Sequence, residues 1–414
     1  MKGSITSLPP IDELDGVLRT ITERFAREFT NPSVAPPRWS EFEWGIARAV
    51  VTMQGMAPLL AMQNKWQGQA GWHRFLSEQR KHVAGRHRRI EDLLEQIDFR
   101  SRQKGVALLP MKGAALHAIG IYAVGDRPMA DIDLLVPDRD GSTAAELLRD
   151  CGFEKSFSNR RHELFEPRFE RRATTEYGEH TNNPIKIELH SAVRESLPVA
   201  EVDITQFMFP LQMKCGLNAY RSNAALMLHL LLHAANNMRA HALRYIQLID
   251  IARLAERFEA ADWNALLGMR TNHMSLWWAA APLILTSRYF PNSVPESIVR
   301  NLSAQCPWLL RRSADRYALA DVSLSNIRIY AFPGIEWCGT PGGAIRFMAS
   351  RILPDREMRD EMRRFDLNEG SEVAAPWYGI SQAARIARWI FSRPLRVQTL
   401  MAVRSALALN PKEE

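Results

Sequence analysis

The sequence predicts an α+β protein: a small mixed sheet with flanking helices, set between an N-terminal helical region and a C-terminal helical domain. Three observations carry that expectation. Apolar residues recur at spacings of three and four through the first hundred positions; short alternating runs interleave with helical stretches after Gly105; and helical spacing returns from Ala224 onward. At 414 residues the chain exceeds one typical core. We divide it into an N-terminal helical region (1–104), an α+β core (105–205), a helical domain (206–300) and a C-terminal helical extension (301–414).

Taken in order, residues 11–29, 40–61 and 72–102 read as helices, with Pro36-Pro37 marking a break. The third carries Arg80, Lys81, Arg86, Arg88 and Arg89, which reads as a solvated basic face. After Gly105, residues 106–111 form a short apolar run, Lys112-Gly113 follow, and 114–121 look helical. Residues 131–134 alternate, Leu135 and Val136 stay apolar, and Pro137 stops the strand. Residues 142–150 read as a helix closed by Gly152. Strands are expected around 153–157 and 162–165, then a polar loop with Asn182, Asn183 and Pro184, then an alternating strand at 185–190. Helices are expected at 224–236, 244–258 and 261–269, followed by a Trp-rich stretch near Trp277. The last hundred residues read as irregular helix with a Gly/Pro-rich loop at 332–343, and a basic amphipathic segment at 385–407 breaks at Pro394.

An apolar share of 46% and a charged share of 24% describe an ordinary globular protein able to bury a sizeable core. The formal charge of +7 suits anionic partners such as nucleotides, nucleic acid or an acidic membrane surface. Cys151, Cys215, Cys306 and Cys338 are scattered without zinc or redox spacing, which fits a reducing, cytoplasmic setting. The start of the chain lacks the apolar run of a signal peptide. The most apolar stretches, 224–235 and 276–285, are too short for a transmembrane segment. In the tail, Arg385, Arg388, Arg393, Arg396 and Arg404 interleave with Ile386, Trp389, Phe391 and Leu395. That pattern suits a helix packed on the body, or peripheral contact with an anionic surface through 385–404.

The chemistry centres on Ala130-Asp131-Ile132-Asp133-Leu134-Leu135-Val136. Side chains alternate along a strand, so Asp131 and Asp133 share one face while Ile132, Leu134 and Val136 share the other. Two crowded carboxylates repel, and a divalent cation resolves the conflict. Within 185–190, Glu188 stands opposite its strand's apolar face, with Lys186 and His190 beside it. Three carboxylates from two strands suffice for two magnesium ions. Lys112-Gly113, after a strand and opening a helix, offers a point charge and a close backbone approach for phosphate. Arg127 can fork onto a triphosphate or brace the aspartates. His229 and His233 lie four apart on an apolar helix and read as a packed, hydrogen-bonded pair. Asp250 reads as a brace between the helical domain and the core.

Lys112-Gly113, the run Arg127-Pro128-Met129-Ala130-Asp131-Ile132-Asp133-Leu134-Leu135-Val136, Gly152-Phe153 and Glu188-Leu189-His190 together resemble the uncharacterised nucleotidyltransferase branch of the polymerase β superfamily. The helix 229–237 and the segment 244–254, with Ile249-Asp250-Ile251, are similar to that branch's downstream region. The likeness spans about residues 82–258. It implies a polymerase β-like core with a sheet of five strands or fewer, and two Mg2+ held by Asp131, Asp133 and Glu188. It also implies transfer of a nucleoside monophosphate from a nucleoside triphosphate such as ATP, with Lys112, Gly113 and Arg127 near the nucleotide. Superfamily members usually carry Gly-Ser or Gly-Gly where this chain has Lys112-Gly113, so the phosphate contacts differ here. The acceptor stays open among a small molecule, a tRNA end and a protein side chain, since toxins and antibiotic-modifying enzymes both occur in the superfamily. A D-x-D glycosyltransferase and a non-catalytic nucleotide-binding module are the competing classes. The helical character of the chain before Gly105 counts against the first, and the intact carboxylate set against the second.

Overall fold

The computed structural model describes residues 8–159, 162–169, 177–198, 201–269, 275–353, 381–391 and 394–408. The first seven residues and Arg393 of the basic tail lie outside the described residues. The architecture is mixed α+β, with a mixed sheet embedded in helices.

Four helices come first: α1 (Ile11–Glu28), α2 (Glu41–Met53), α3 (Ala57–Gln63) and α4 (Trp72–Lys104). The stretch expected as one helix over 40–61 is two. Ser40 and Glu43 form a capping box that starts α2, and the chain turns at Gly55, whose φ of +71° is costly for any side chain-bearing residue. The core segment contributes β1 (Ala107–Pro110), α5 (Lys112–Ala118), β2 (Asp131–Leu135), α6 (Gly141–Asp150), β3 (Phe153–Ser158), β4 (Glu163–Pro167) and β5 (Lys186–His190). A short hairpin, β6 (Arg194–Ser196) and β7 (Glu201–Asp203), precedes β8 (Gly216–Leu217). Helices α7 (Asn223–Arg239), α8 (Tyr245–Ala255), α9 (Ala260–Gly268) and α10 (Ala280–Tyr289) follow, then α11 (Glu296–Ala304), α12 (Trp308–Ala314), α13 (Leu319–Val322) and α14 (Pro341–Ile352). The tail forms α15 (Gln382–Phe391) and α16 (Val397–Ala408), separated around Pro394 as its chemistry predicts.

The sheet has six strands in the order β3-β4-β5-β2-β1-β8, one more than the expected maximum. The extra strand, β8, is two residues long and pairs in parallel with β1 through Ala107↔Gly216 and Leu108↔Leu217. Two residues carry no periodic signal, so only the pairing reveals it. Helices α4 and α6 cover one face. There Ile90 and Ile97 of α4 and Ala144, Leu147 and Leu148 of α6 pack on Ile132, Leu134, Val136, Phe165, Ile187 and Leu189. The other face meets a larger apolar cluster through Leu109, Met111 and Leu135.

That larger cluster runs from Leu14 of α1 to Ala406 of α16. The approach of α16 to α2 is close enough that a Cβ on Gly45 would sit 2.5 Å from Leu407 Cδ2. In the tail, Arg396 turns inward, with Nε 3.3 Å from the Asn326 carbonyl and its backbone N–H on the Ile327 carbonyl. Phe391 at the end of α15 is exposed. Among the described residues, no single helix is long and apolar enough to cross a membrane.

Candidate functional site

Strands β2 and β5 are parallel neighbours in the register Asp131↔Lys186, Asp133↔Glu188 and Leu135↔His190. Paired residues of parallel strands project to the same side, so Asp131, Asp133, Glu188 and His190 occupy one face. The opposite face of both strands is apolar and packed under α4 and α6. Period-two alternation thus does two jobs at once: it anchors the strands and presents the acids. Asp133 is only 6% exposed, while Asp131, at the strand's start, is half-buried.

The charges are unevenly answered. Lys112 Nζ lies 2.7 Å from Asp133 Oδ1, and His190 Nε2 lies 3.2 Å from the same oxygen and 3.3 Å from Glu188 Oε2. Burial by itself would raise the Asp133 pKa, but Lys112 and His190 hold it well below the usual carboxylate range. Burial would likewise lower the Lys112 ammonium, yet the charges of Asp133 and Asp131 outweigh that and keep it cationic. His190 loses some basicity to burial and regains more from its hydrogen bonds to Asp133 and Glu188, so its pKa is raised. Asp131 is pushed up to about 6 by burial and by the negative charges of Asp133 and Glu188. The donor set suits a divalent cation by its chemistry: three carboxylates share one face, and Asp131 is short of positive charge, although the trio whose ligand atoms close to within 4.8 Å of one another is His162, Glu188 and His190.

Lys112 opens α5 with φ +50°, an uncommon conformation for a residue with a side chain. Two contacts hold it there: the ion pair to Asp133, and its backbone N–H, 3.4 Å from Tyr220 Oη. Tyr220 Oη lies 2.7 Å from His229 Nδ1, and burial drops the His229 pKa to about 3. The Tyr220 hydroxyl thus accepts from the Lys112 backbone N–H and shares its second hydrogen bond with the neutral His229 imidazole. His233 Nε2 bonds Asn237 Nδ2 at 3.2 Å. Both histidines are therefore engaged within the helical packing.

Arg127 forks onto Asp250 of α8, with Nε–Oδ1 at 2.8 Å and Nη2–Oδ2 at 2.7 Å, and Tyr122 Oη donates to the same Oδ1. Asp250 thus ties α8 to the segment that leads into β2, with Arg127 and Tyr122 as its partners. A Cβ on Gly113 would meet Arg127 Nη1 at 2.3 Å and Met129 Sδ at 2.9 Å. The missing side chain of Gly113 is thus filled by Arg127 and Met129, a packing reason for glycine that differs from the phosphate approach expected of it.

Two residues of the site carry no readable motif. Arg86 belongs to the α4 face expected to be solvated, yet it is 3% exposed. Its Nε donates to the Met129 carbonyl and Nη1 to that of Asn183, both at 2.7 Å, and Nη2 reaches those of Ala130 and Pro184. It ties together the two chain segments that enter β2 and β5. Arg80 pairs with Asp126, and Arg89 bonds the Thr181 carbonyl, so much of that basic face points inward. The second is His162, just ahead of β4. Its Nε2 lies 3.9 Å from Glu188 Oε1, and its ring centroid is 5.2 Å from that of His190. A cavity of about 510 Å3 opens beside it, lined by Val136, Ser142, Arg149, Lys155, Asn159 and Ser191 among others.

No curated protein and no solved structure matches this chain. The family model described as uncharacterised nucleotidyltransferase matches residues 40–291, which include α2 through α10 and every strand of the sheet. With that match covering more than half of the chain, the protein belongs to the uncharacterised nucleotidyltransferase family.

Proposed function

We propose that the protein moves a nucleoside monophosphate from a nucleoside triphosphate to an acceptor, using two magnesium ions held by Asp131, Asp133 and Glu188. Family membership supports nucleotidyl transfer in general. The observation that carries the finer reading is the parallel register of β2 and β5, with Asp133 paired to Glu188 and Asp131 on the same face.

In the proposed reaction an acceptor oxygen bonds to the α-phosphorus, and the bond to the pyrophosphate oxygen breaks. Bound magnesium supplies charge neutralisation for the triphosphate and acidifies the attacking hydroxyl. The three carboxylates fix where that positive charge sits. Lys112 keeps Asp133 ionised and adds its own charge on the phosphate side. His190 orients Asp133 and Glu188 by hydrogen bonding to both. Arg127 acts on the nucleotide through structure, filling the space beside Gly113 and fastening α5's surroundings to α8.

The test is to incubate the protein with magnesium and each nucleoside triphosphate, labelled at the α- or the γ-phosphate, against RNA, protein and metabolite fractions. Label from the α-phosphate enters one fraction, label from the γ-phosphate does not, and Asp133→Asn abolishes transfer while its circular dichroism spectrum is unchanged. Near-normal transfer by that variant would overturn the assignment.

A further inference from the structure

We propose that His162, Glu188 and His190 form a second kind of metal centre in this site, selective for a divalent transition ion over magnesium. The proposal rests on the reading above only for what such an ion does in catalysis, not for where it binds.

The three residues meet because of the β4–β5 pairing. These strands run antiparallel with Leu164↔Glu188 and Glu163↔Leu189, so the next position outward sets His162 across from His190. One ligand atom from each residue lies within 4.8 Å of the others, the reach of a single ion's coordination sphere. All three are half-buried, and so reachable from solvent yet held in place.

The donor chemistry decides the metal. Magnesium prefers oxygen ligands in a near-octahedral shell and takes imidazole poorly. Two imidazole nitrogens and one carboxylate suit manganese, cobalt or zinc, and a set of three protein ligands leaves positions open for substrate oxygens. Glu188 can serve both centres: Oε1 faces His162, while Oε2 faces His190 on the side of Asp133. The site is therefore asymmetric: Asp131 and Asp133 offer oxygen ligands, the two histidines with Glu188 offer a mixed nitrogen–oxygen set, and His190, which hydrogen-bonds Asp133 and Glu188 at Nε2, exchanges those bonds for the ion when it ligates. His162 is the residue that makes the difference, because it has no place in the carboxylate set.

The experiment uses the full chain stripped of metal and titrated with Co2+ in the presence of excess Mg2+. Visible absorption reports nitrogen ligation, and calorimetry reports stoichiometry. We expect one Co2+ per chain with a visible band that excess Mg2+ leaves in place. His162→Ala should weaken Co2+ binding at least about a hundredfold, a loss larger than that seen when only an outer partner of a ligand is removed. Asp131→Asn should keep the band. His162 sits at a hairpin end with its side chain partly exposed, so its loss should spare the fold; His162→Gln serves if alanine does not. A band unchanged in both His162 variants, or erased by Mg2+, overturns the proposal. The absence of nucleotide transfer with the Co2+ band intact would instead sink the functional reading and leave the metal centre standing.

Discussion

Asp250 of α8 receives both forks of Arg127 with side chains only 2% and 11% exposed, so this ion pair joins the sheet's approach segment to α8. Tyr122 adds a third bond to the same carboxylate. Breaking a buried pair from one side strands the other charge. Arg127→Met and Asp250→Leu should each cost about 3 to 5 kcal/mol in urea unfolding. The double variant should be less destabilised than their sum by about 2 kcal/mol, the coupling expected of groups in direct contact. Simple additivity would mean that the pair does not act as a unit.

Removing the ammonium from Asp133 gives a second prediction. Lys112→Met leaves a buried carboxylate next to Asp131 and Glu188 without its nearest cation. We expect a loss of about 3 kcal/mol in metal-free buffer, and a smaller loss when magnesium is present. Equal destabilisation with and without magnesium would argue against a cation site on that face.

Arg86→Lys should fail as a conservative replacement. A lysine ammonium is a compact donor, whereas the guanidinium spans the carbonyls of Met129, Ala130, Asn183 and Pro184. The expected loss is about 3 kcal/mol, in line with two lost hydrogen bonds from a charged group. Amide hydrogen exchange at 130–133 and 185–188 should speed up, with turnover falling alongside. Unchanged exchange at those strand starts would show that Arg86 does not position them.

Acid should loosen the packing around α5 and α7. His229 and His117 are each held near a pKa of about 3, first by burial, and His233 is also lowered. Their protonation in the unfolded chain begins near the ordinary value of 6.5, while the folded chain resists it. The unfolded state therefore binds more protons below that pH, and stability falls as pH drops from about 6.5 towards 3. At pH 5 His229 alone should account for about 2 kcal/mol of that loss. His229→Gln should flatten the decline between pH 7 and 5 in thermal or urea unfolding; an unaltered slope would exclude His229 as a contributor.

Alternation makes the acidic face legible in the sequence. Once Asp131 and Asp133 are placed in a strand backed by Ile132 and Leu134, and Glu188 in one backed by Ile187 and Leu189, both sets must project away from the core. The brace role of Asp250 is legible too, although its partner is not, because Arg127 lies far away in the chain. What stays hidden is whatever depends on where remote segments meet. Arg86 looks like any other cation on a basic helix until the β2 and β5 approaches are seen to converge on it. His162 gains meaning only when antiparallel pairing brings it opposite His190. Gly113 illustrates a different limit: a glycine after a strand suggests room for a ligand, and the same gap serves equally well for a guanidinium from the next loop.

The notch at Gly45 has a practical consequence. Leu407 rests where a side chain on α2 would otherwise stand, so the final helix is seated in the same apolar interior as the first. Trimming the polypeptide to the stretch shared with its family would uncover that interior at both ends, and the shortened product should aggregate rather than report on the chemistry.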